Sequence, residues 1–301
     1  MIIKMKYSKN NFVCIGALHY DYLLNLKNNI IKYRSNPIFH KNKIGGVAYN
    51  VAKLISVFKK VEFFTLKISK ELKNKTKSKN LKIINLSNIN NERFYIAISD
   101  NKNKFFLGLA NTDIYEKKLN LKFNKQIKNK YVIIDLNFSK IFLQKIIKKI
   151  SNKNKVVICA TSVYKIYKIK SIIKKIDILF LNKDELIKLT NKNNILIGIK
   201  DILNQNNNIT ICVTNGKNNA VLANKNKIYK IKPPKIKIRN ENGAGDALAG
   251  MMIYLMSENY SLNNILKFSI ACGSYYASGK SLKNMRDLQK IKNLSKKILI
   301  N

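Results

Sequence analysis

The segment Asn242-Gly243-Ala244-Gly245-Asp246-Ala247 sets small residues directly ahead of a carboxylate, between a short β-like run and a long apolar stretch of helical spacing. Small residues at the mouth of a helix let backbone N–H groups converge, and those unpaired donors together with the helix dipole favour a phosphate there. A carboxylate beside an anion site is unfavourable unless it has a task, and taking the proton from an attacking hydroxyl is such a task. The plainer alternative is an aspartate that caps a helix after a glycine turn. Counting excludes two other phosphate motifs. A dinucleotide fingerprint needs a third glycine at 248, which is Leu248, and a P-loop ending in Gly279-Lys280-Ser281 needs one at 274, which is Ser274.

For such a segment to work, the rest of the chain must hold it against the acceptor and the phosphate donor. The apolar run 12–15, closed by Gly16, predicts a first strand, followed by alternating residues around 22–24. After Gly45-Gly46, the spacing of Val47, Val51, Leu54, Ile55 and Phe58 predicts a helix. Residues 94–98 and 105–109 flank the turn-prone Asp100-Asn101-Lys102-Asn103 and predict a hairpin. Strands at 131–135, 156–160 and 178–181 then alternate with helices at 139–150, 164–176 and 183–190. Such alternation requires crossover connections and a mainly parallel sheet. Strands at 209–214 and 220–223 follow, then the run 236–238 and helices at 247–256 and 265–277. The polar stretch 70–80 reads as an exposed loop, and neither a linker nor an internal repeat divides the chain.

Composition narrows the function classes. At 301 residues and 46% hydrophobic content, the chain can bury a large core. No apolar run reaches the roughly 18 residues a membrane span needs, and residues 1–11 are polar and basic, unlike a signal peptide. A cytoplasmic protein without a membrane partner is expected. Cys14, Cys159, Cys212 and Cys272 are dispersed in apolar runs, which predicts buried free thiols, not a zinc site. The 58 Lys and Arg against 16 Asp and Glu give +42, a balance that suggests a basic nucleic-acid-binding protein as the non-enzyme alternative. The lysines are spread over nearly every polar segment and follow an excess of Asn and Ile, with no basic block interleaved with aromatics. Weak, salt-sensitive adhesion to polyanions is expected; specific nucleic-acid recognition is not.

Gly243-Ala244-Gly245-Asp246 followed by Ala247-Leu248-Ala249-Gly250 resembles the C-terminal signature of the PfkB, or ribokinase-like, family of carbohydrate and nucleoside kinases. Gly45-Gly46-Val47-Ala48-Tyr49-Asn50-Val51-Ala52 resembles the family's N-terminal signature, Asp21 its acidic residue for substrate hydroxyls, Asn182-Lys183-Asp184-Glu185 its Asn-x-x-Glu element, and Thr214-x-Gly216 its nucleotide loop. Taken singly, each has a plain reading as a turn, a loop carboxylate or a helix start. Five of them in family order over nearly the whole chain carry the resemblance.

The resemblance implies an α/β ribokinase-like fold: one kinase domain over 1–301, with a central mainly parallel sheet and a small β lid from about 20–43 and 93–111. It also implies ATP-dependent phosphorylation of a primary hydroxyl. Asp246 would act as base, Gly243, Ala244 and Gly245 as the anion hole, and Asp21, Gly45, Gly46 and Asn50 as the acceptor site. Asn182, Glu185, Thr214 and Gly216 would serve ATP and magnesium, with Glu185 in the outer shell of the ion and no direct protein ligand. A homodimer through the lid is a further implication. Within the family the chain is most similar to pseudouridine kinases, through Ser35-Asn36-Pro37, the stretch 110–114, Thr161-Ser162-Val163 with Lys165, and Asn240. It departs from that pattern at Ile38, Tyr49, Asn111 and Asn219. Ribose, fructose and other nucleosides are the alternative acceptors. Asn240 and Asn242 alter the region where many relatives hold a monovalent cation, which leaves a potassium requirement open.

Overall fold

The computed structural model describes residues 12–102, 104–117, 123, 127–239 and 241–300. The N-terminal stretch 1–11, Asn103 of the hairpin turn and Asn240 lie outside the described residues.

The first strand, β1 (Phe12–Ile15), is apolar on both faces because it is covered on both. The chain then makes β2 (His19–Leu26) and β3 (Ile38–Gly45), a hairpin, before entering α1 (Val47–Ile55). Next come β4 (Val61–Lys67), α2 (Lys70–Lys75), β5 (Leu81–Asn90), and the hairpin of β6 (Phe94–Ser99) and β7 (Phe105–Asn111). The short α3 (Asp113–Glu116) leads to the alternating part: β8 (Tyr131–Asp135), α4 (Lys140–Ile150), β9 (Lys155–Cys159), a 3₁₀ helix (Ile166–Lys175), β10 (Ile178–Asn182), α5 (Lys183–Thr190), α6 (Ile195–Gln205) and β11 (Thr210–Thr214). The chain closes with β12 (Ala220–Ala223), β13 (Ile228–Ile231), α7 (Ala244–Ser257), α8 (Leu262–Ala277) and α9 (Met285–Ser295).

Two sheets result. The larger has nine strands in the order β13-β12-β11-β10-β9-β8-β1-β4-β5, parallel except at β12 and β13. Helices cover both its faces. On one side α1, α7 and α8 pack against Phe12, Phe63 and Ile133; on the other α4 and the 3₁₀ helix pack against Val13, Ile134 and Ile158. The smaller sheet has the order β3-β2-β6-β7. Its register puts Asp21, Tyr95, Gly108 and Ala110 on one face and Tyr22, Leu24, Ile96, Ile98, Leu107 and Leu109 on the other. All four cysteines are buried, and burial pushes every thiol up, Cys212 to about 12.

The structure corrects several sequence expectations. Residues 70–80 are not a loop throughout: Ser69 caps α2 by accepting from Leu72 N–H, and Leu72 buries its side chain. The segment predicted as a helix over 164–176 is 3₁₀, and its isoleucines explain why. Ile166, Ile169 and Ile172 recur every three residues, the repeat that eclipses side chains in a 3₁₀ turn. Residues 236–238 form no strand, because the partner of β12 is β13, reached through a turn in which Asn224 Oδ1 accepts from Asn226 and Lys227 N–H.

Candidate active site

The carboxyl ends of the parallel strands, where ligands of open α/β sheets bind, open onto a cleft of about 770 Å³. Strand order lays the predicted residues along it. Asp21 and Asn50 arrive after β1 and on α1, Asn182 and Glu185 after β10, and Thr214 at the end of β11. The turn into α7 brings Asp246 into the same cleft. Of the remaining sequence-predicted residues, Gly46, Gly243 and Gly245 line the cleft, while Gly45, Ala244 and Gly216 do not.

Asp246 occupies the first turn of α7, whose N-cap Gly243 is in the left-handed region at φ 82. Its Oδ2 accepts a hydrogen bond of 2.7 Å from Asn50 Nδ2 across 196 residues of sequence. The carboxylate faces the cleft yet is walled by protein, so desolvation pushes it up to about 7; the Asn50 bond pulls the other way, and the negative charges of Asp135, Asp21 and Glu185 push with burial. Asn50, expected to orient acceptor hydroxyls, lines the cleft and also positions the carboxylate. The turn itself is open: no atom lies within 4 Å of where a Cβ on Gly245 would stand, and the nearest to Gly243 is Asn50 Nδ2 at 3.9 Å. The Ala244 N–H is not available to a ligand as expected, because it donates to Glu241 O at 3.2 Å.

The Gly-Gly turn is dictated by close approaches. A Cβ on Gly45 would overlap the Asp21 carboxylate, and one on Gly46, at φ 121, would overlap Ala17 O. Asp21 Oδ1 sits 3.0 Å from Nδ1 of the buried His19. Behind the turn lies Asp135, fully buried, whose role the sequence reading missed. Its Oδ2 accepts from Ala17 N–H (3.0 Å) and Ala48 N–H (3.3 Å), and its Oδ1 from Asn137 N–H (3.0 Å). The available signal was an aspartate closing an apolar parallel strand, Val132-Ile133-Ile134-Asp135.

At the other end of the cleft, Asn182 and Glu185 form a capping box. Glu185 N–H donates to Asn182 Oδ1 at 2.9 Å and Asn182 N–H to Glu185 Oε2 at 2.8 Å. Desolvation pushes Glu185 up to about 7, against the bond from Asn182 and with the charge of Asp184. One Glu185 oxygen is therefore committed to the fold. Among the described residues no three His, Cys, Asp or Glu side chains converge as a metal cage. Hard oxygen donors facing the nucleotide end fit a magnesium ion that keeps most of its water and arrives with phosphates. Gly216 has φ 56 and open space around it, consistent with a turn behind Thr214.

The family model described as pfkB family carbohydrate kinase matches residues 9–287. Over 106 residues the chain is 28% identical to the ATP-dependent 6-phosphofructokinase isozyme 2 of Escherichia coli (strain K12), a match covering 35% of this chain and 34% of that relative. The matched stretch thus spans about a third of the curated relative's length. Among solved structures, a carbohydrate kinase from Agrobacterium tumefaciens superposes with a TM-score of 0.76 at 18% identity, covering 97% of this chain and 100% of that one. The nucleoside kinase of Methanocaldococcus jannaschii, described as an archaeal member of the ribokinase family, gives 0.73 at 20% identity over 95% and 99% of the two chains.

Proposed function

The chain belongs to the pfkB family of carbohydrate kinases and has the ribokinase-like α/β fold, and from that premise we propose that it transfers the γ-phosphoryl group of ATP to a primary hydroxyl of a sugar or nucleoside, pseudouridine being the favoured acceptor. The observation that carries the reading is the 2.7 Å bond from Asn50 to Asp246, which joins the two signature segments in one cleft at an open glycine turn. Asp246 takes the acceptor's proton as the new O–P bond forms and the bond to the β-phosphate breaks, releasing ADP. Its raised pKa suits a base working near neutrality. The backbone N–H of Gly245, at the helix mouth, faces the charge that develops on the transferred group. Asp21 holds acceptor hydroxyls beside the Gly-Gly turn, and Thr214 lies on the nucleotide side. Magnesium, held through water near Glu185 and Asn182, would neutralise phosphate charge.

Pseudouridine is favoured because Ala110, Thr112, Thr161, Ser162 and Lys165, from the segments similar to that subgroup, line the same cleft. Ser35-Asn36-Pro37 lends no such support. Asn36 instead plugs its own loop, with Oδ1 accepting from Ile31 N–H and Nδ2 donating to Ile31 O and Arg34 O. The smaller sheet acts as a lid that keeps water from competing as acceptor. The apolar outer face of that lid, with Leu107 and Leu109 exposed, is where a second copy would pair. Measuring ADP release with Mg-ATP over ribose, fructose, pseudouridine and other nucleosides tests the assignment; no acceptor-dependent ADP above the water-driven background would end it. A nucleic-acid role instead predicts selective binding that survives physiological salt.

The pH profile gives a second check. A base must be deprotonated, so kcat/KM should fall about tenfold per pH unit below roughly 7, where Asp246 titrates. Asn50→Ala removes the bond that favours the ionised form and should move this acid limb to higher pH. An unshifted limb in that variant would mean that Asn50 does not tune the base.

A further inference from the structure

A second hollow, of about 970 Å³, lies beside the catalytic cleft and is left unused by the proposed transfer. It meets the cleft at Asp21, Asn50 and Gly243 and runs from there along α1 to Ser56 and Val57. Strand β3 of the lid, the end of α2 and the loop between α8 and α9 form its other walls. Asp246, Asn182, Glu185 and Thr214 line the cleft but not this groove, so what the groove holds is not presented to the base. The walls carry Lys41 and Lys43 from β3, Lys53 from α1, Lys77 after α2 and Lys283 ahead of α9. Two more lysines on the wall are engaged elsewhere: Lys75 pairs with Glu71 at 2.7 Å, and Lys280 Nζ lies 5.6 Å from the centre of the Tyr275 ring.

Among the described residues those first five lysines make no ion pair. The only lining carboxylate among the described residues is Asp21, which already sits 3.0 Å from His19 Nδ1. Asp287, four residues after Lys283, is spent on the Tyr275 hydroxyl at 2.7 Å and on Lys283 N–H at 3.0 Å. Burial, then Lys41, pull Lys43 below the usual lysine range, against the charge of Asp21; burial, then Lys283, do the same to Lys53. Like charges thus crowd in two places, and each place lacks its anion. A general excess of lysine does not produce this pattern: scattered surface lysines turn their heads apart into water, whereas these converge on one hollow. The rings on the wall offer no stacking platform for a base, because Tyr49 is buried against Phe63 and the Tyr276 hydroxyl is tied to Leu282 N–H at 3.2 Å. Phosphate oxygens are therefore what the walls can read.

From this geometry we infer that the groove beside α1 is a binding site for a short chain of linked phosphates, with Lys53 and Lys283 gripping one phosphate and Lys41 and Lys43 another. A single phosphate satisfies only one of the two crowded pairs, so at least two are needed. The phosphate tail of a nucleotide and a free inorganic oligophosphate share this chemistry. The site goes beyond the kinase reading and stands without it.

The test is calorimetric titration of the whole chain with tripolyphosphate, inorganic phosphate and ATP at physiological salt, circular dichroism checking the fold of each variant. Lys53→Met combined with Lys283→Met should weaken tripolyphosphate binding by roughly 10- to 100-fold. Lys148→Met combined with Lys174→Met removes the same charge from exposed positions on α4 and the 3₁₀ helix, across the sheet, and should weaken it by less than about threefold. Inorganic phosphate should bind at least about tenfold more weakly than tripolyphosphate. ATP distinguishes the two sources: two sites per chain that fall to one in the groove variant identify a nucleotide tail, and one site in both proteins identifies free oligophosphate. Equal losses in the two double variants would reduce the effect to the diffuse field of a +42 chain and overturn the site, as would an unchanged affinity in the groove variant. Phosphate bound as tightly as tripolyphosphate, or an oligouridylate displacing tripolyphosphate at physiological salt, would overturn the linked-phosphate ligand.

Discussion

Asp246→Asn should lower turnover by roughly 10²–10⁴-fold while leaving ATP binding largely intact. The substitution keeps the side chain's shape, and the amide oxygen can still accept from Asn50 Nδ2, so only the proton-accepting capacity is removed. Stability should move the other way. A carboxylate raised to about 7 from its ordinary 3.8 binds a proton more tightly when folded than when unfolded, so the wild-type fold loses stability as pH climbs between those values. Asparagine carries no such cost, and the variant should be at least as stable as the wild type at pH 8. Lower activity with equal or higher stability marks a residue kept for function. Near-normal turnover, or weaker ATP binding as the main effect, would remove Asp246 as the base.

Asp135→Ala is expected to lower the unfolding free energy by about 3–5 kcal/mol, because it strands buried N–H donors of Ala17, Ala48 and Asn137 at once. Those donors belong to the chain leaving β1, the first turn of α1 and the chain leaving β8, so one carboxylate ties three segments together directly behind the Gly-Gly turn. The negative charge also meets the positive end of α1. Urea unfolding would show a lower midpoint, and an unchanged midpoint would refute the knot. Activity should suffer too, since α1 carries Asn50 to the base.

What the sequence allowed to be read divides by the range of the forces involved. The strands at 12–15, 131–135 and 220–223 and the helix at 183–190 emerge at their predicted residues, because apolar runs between polar breaks and the capping pair Asn182 and Glu185 are local signals. The family-order residues Asp21, Asn50, Asn182, Glu185, Thr214 and Asp246 meet in one cleft. Strands β4 and β5 and helices α6 and α9 went unclaimed. In β5 apolar residues alternate with Lys, Asn and Ser on an edge strand, which needs its partner β4 to fix it. The site's supporting layer was equally hidden. That Asp135 binds the distant amides of Ala17 and Ala48, that Asn50 donates to Asp246, and that Arg93 Nε and Nη1 are buried without a hydrogen bond are properties of long-range packing, which no spacing reveals.

The four buried thiols have a practical corollary. Thiolate is the reactive form, and burial keeps every sulfur protonated at neutral pH, including Cys159 on the wall of the cleft. Maleimide should leave the folded protein active and unlabelled, and label all four sulfurs only after denaturation. Thiol-directed oxidants would then leave catalysis untouched, so a loss of activity on storage points away from the cysteines.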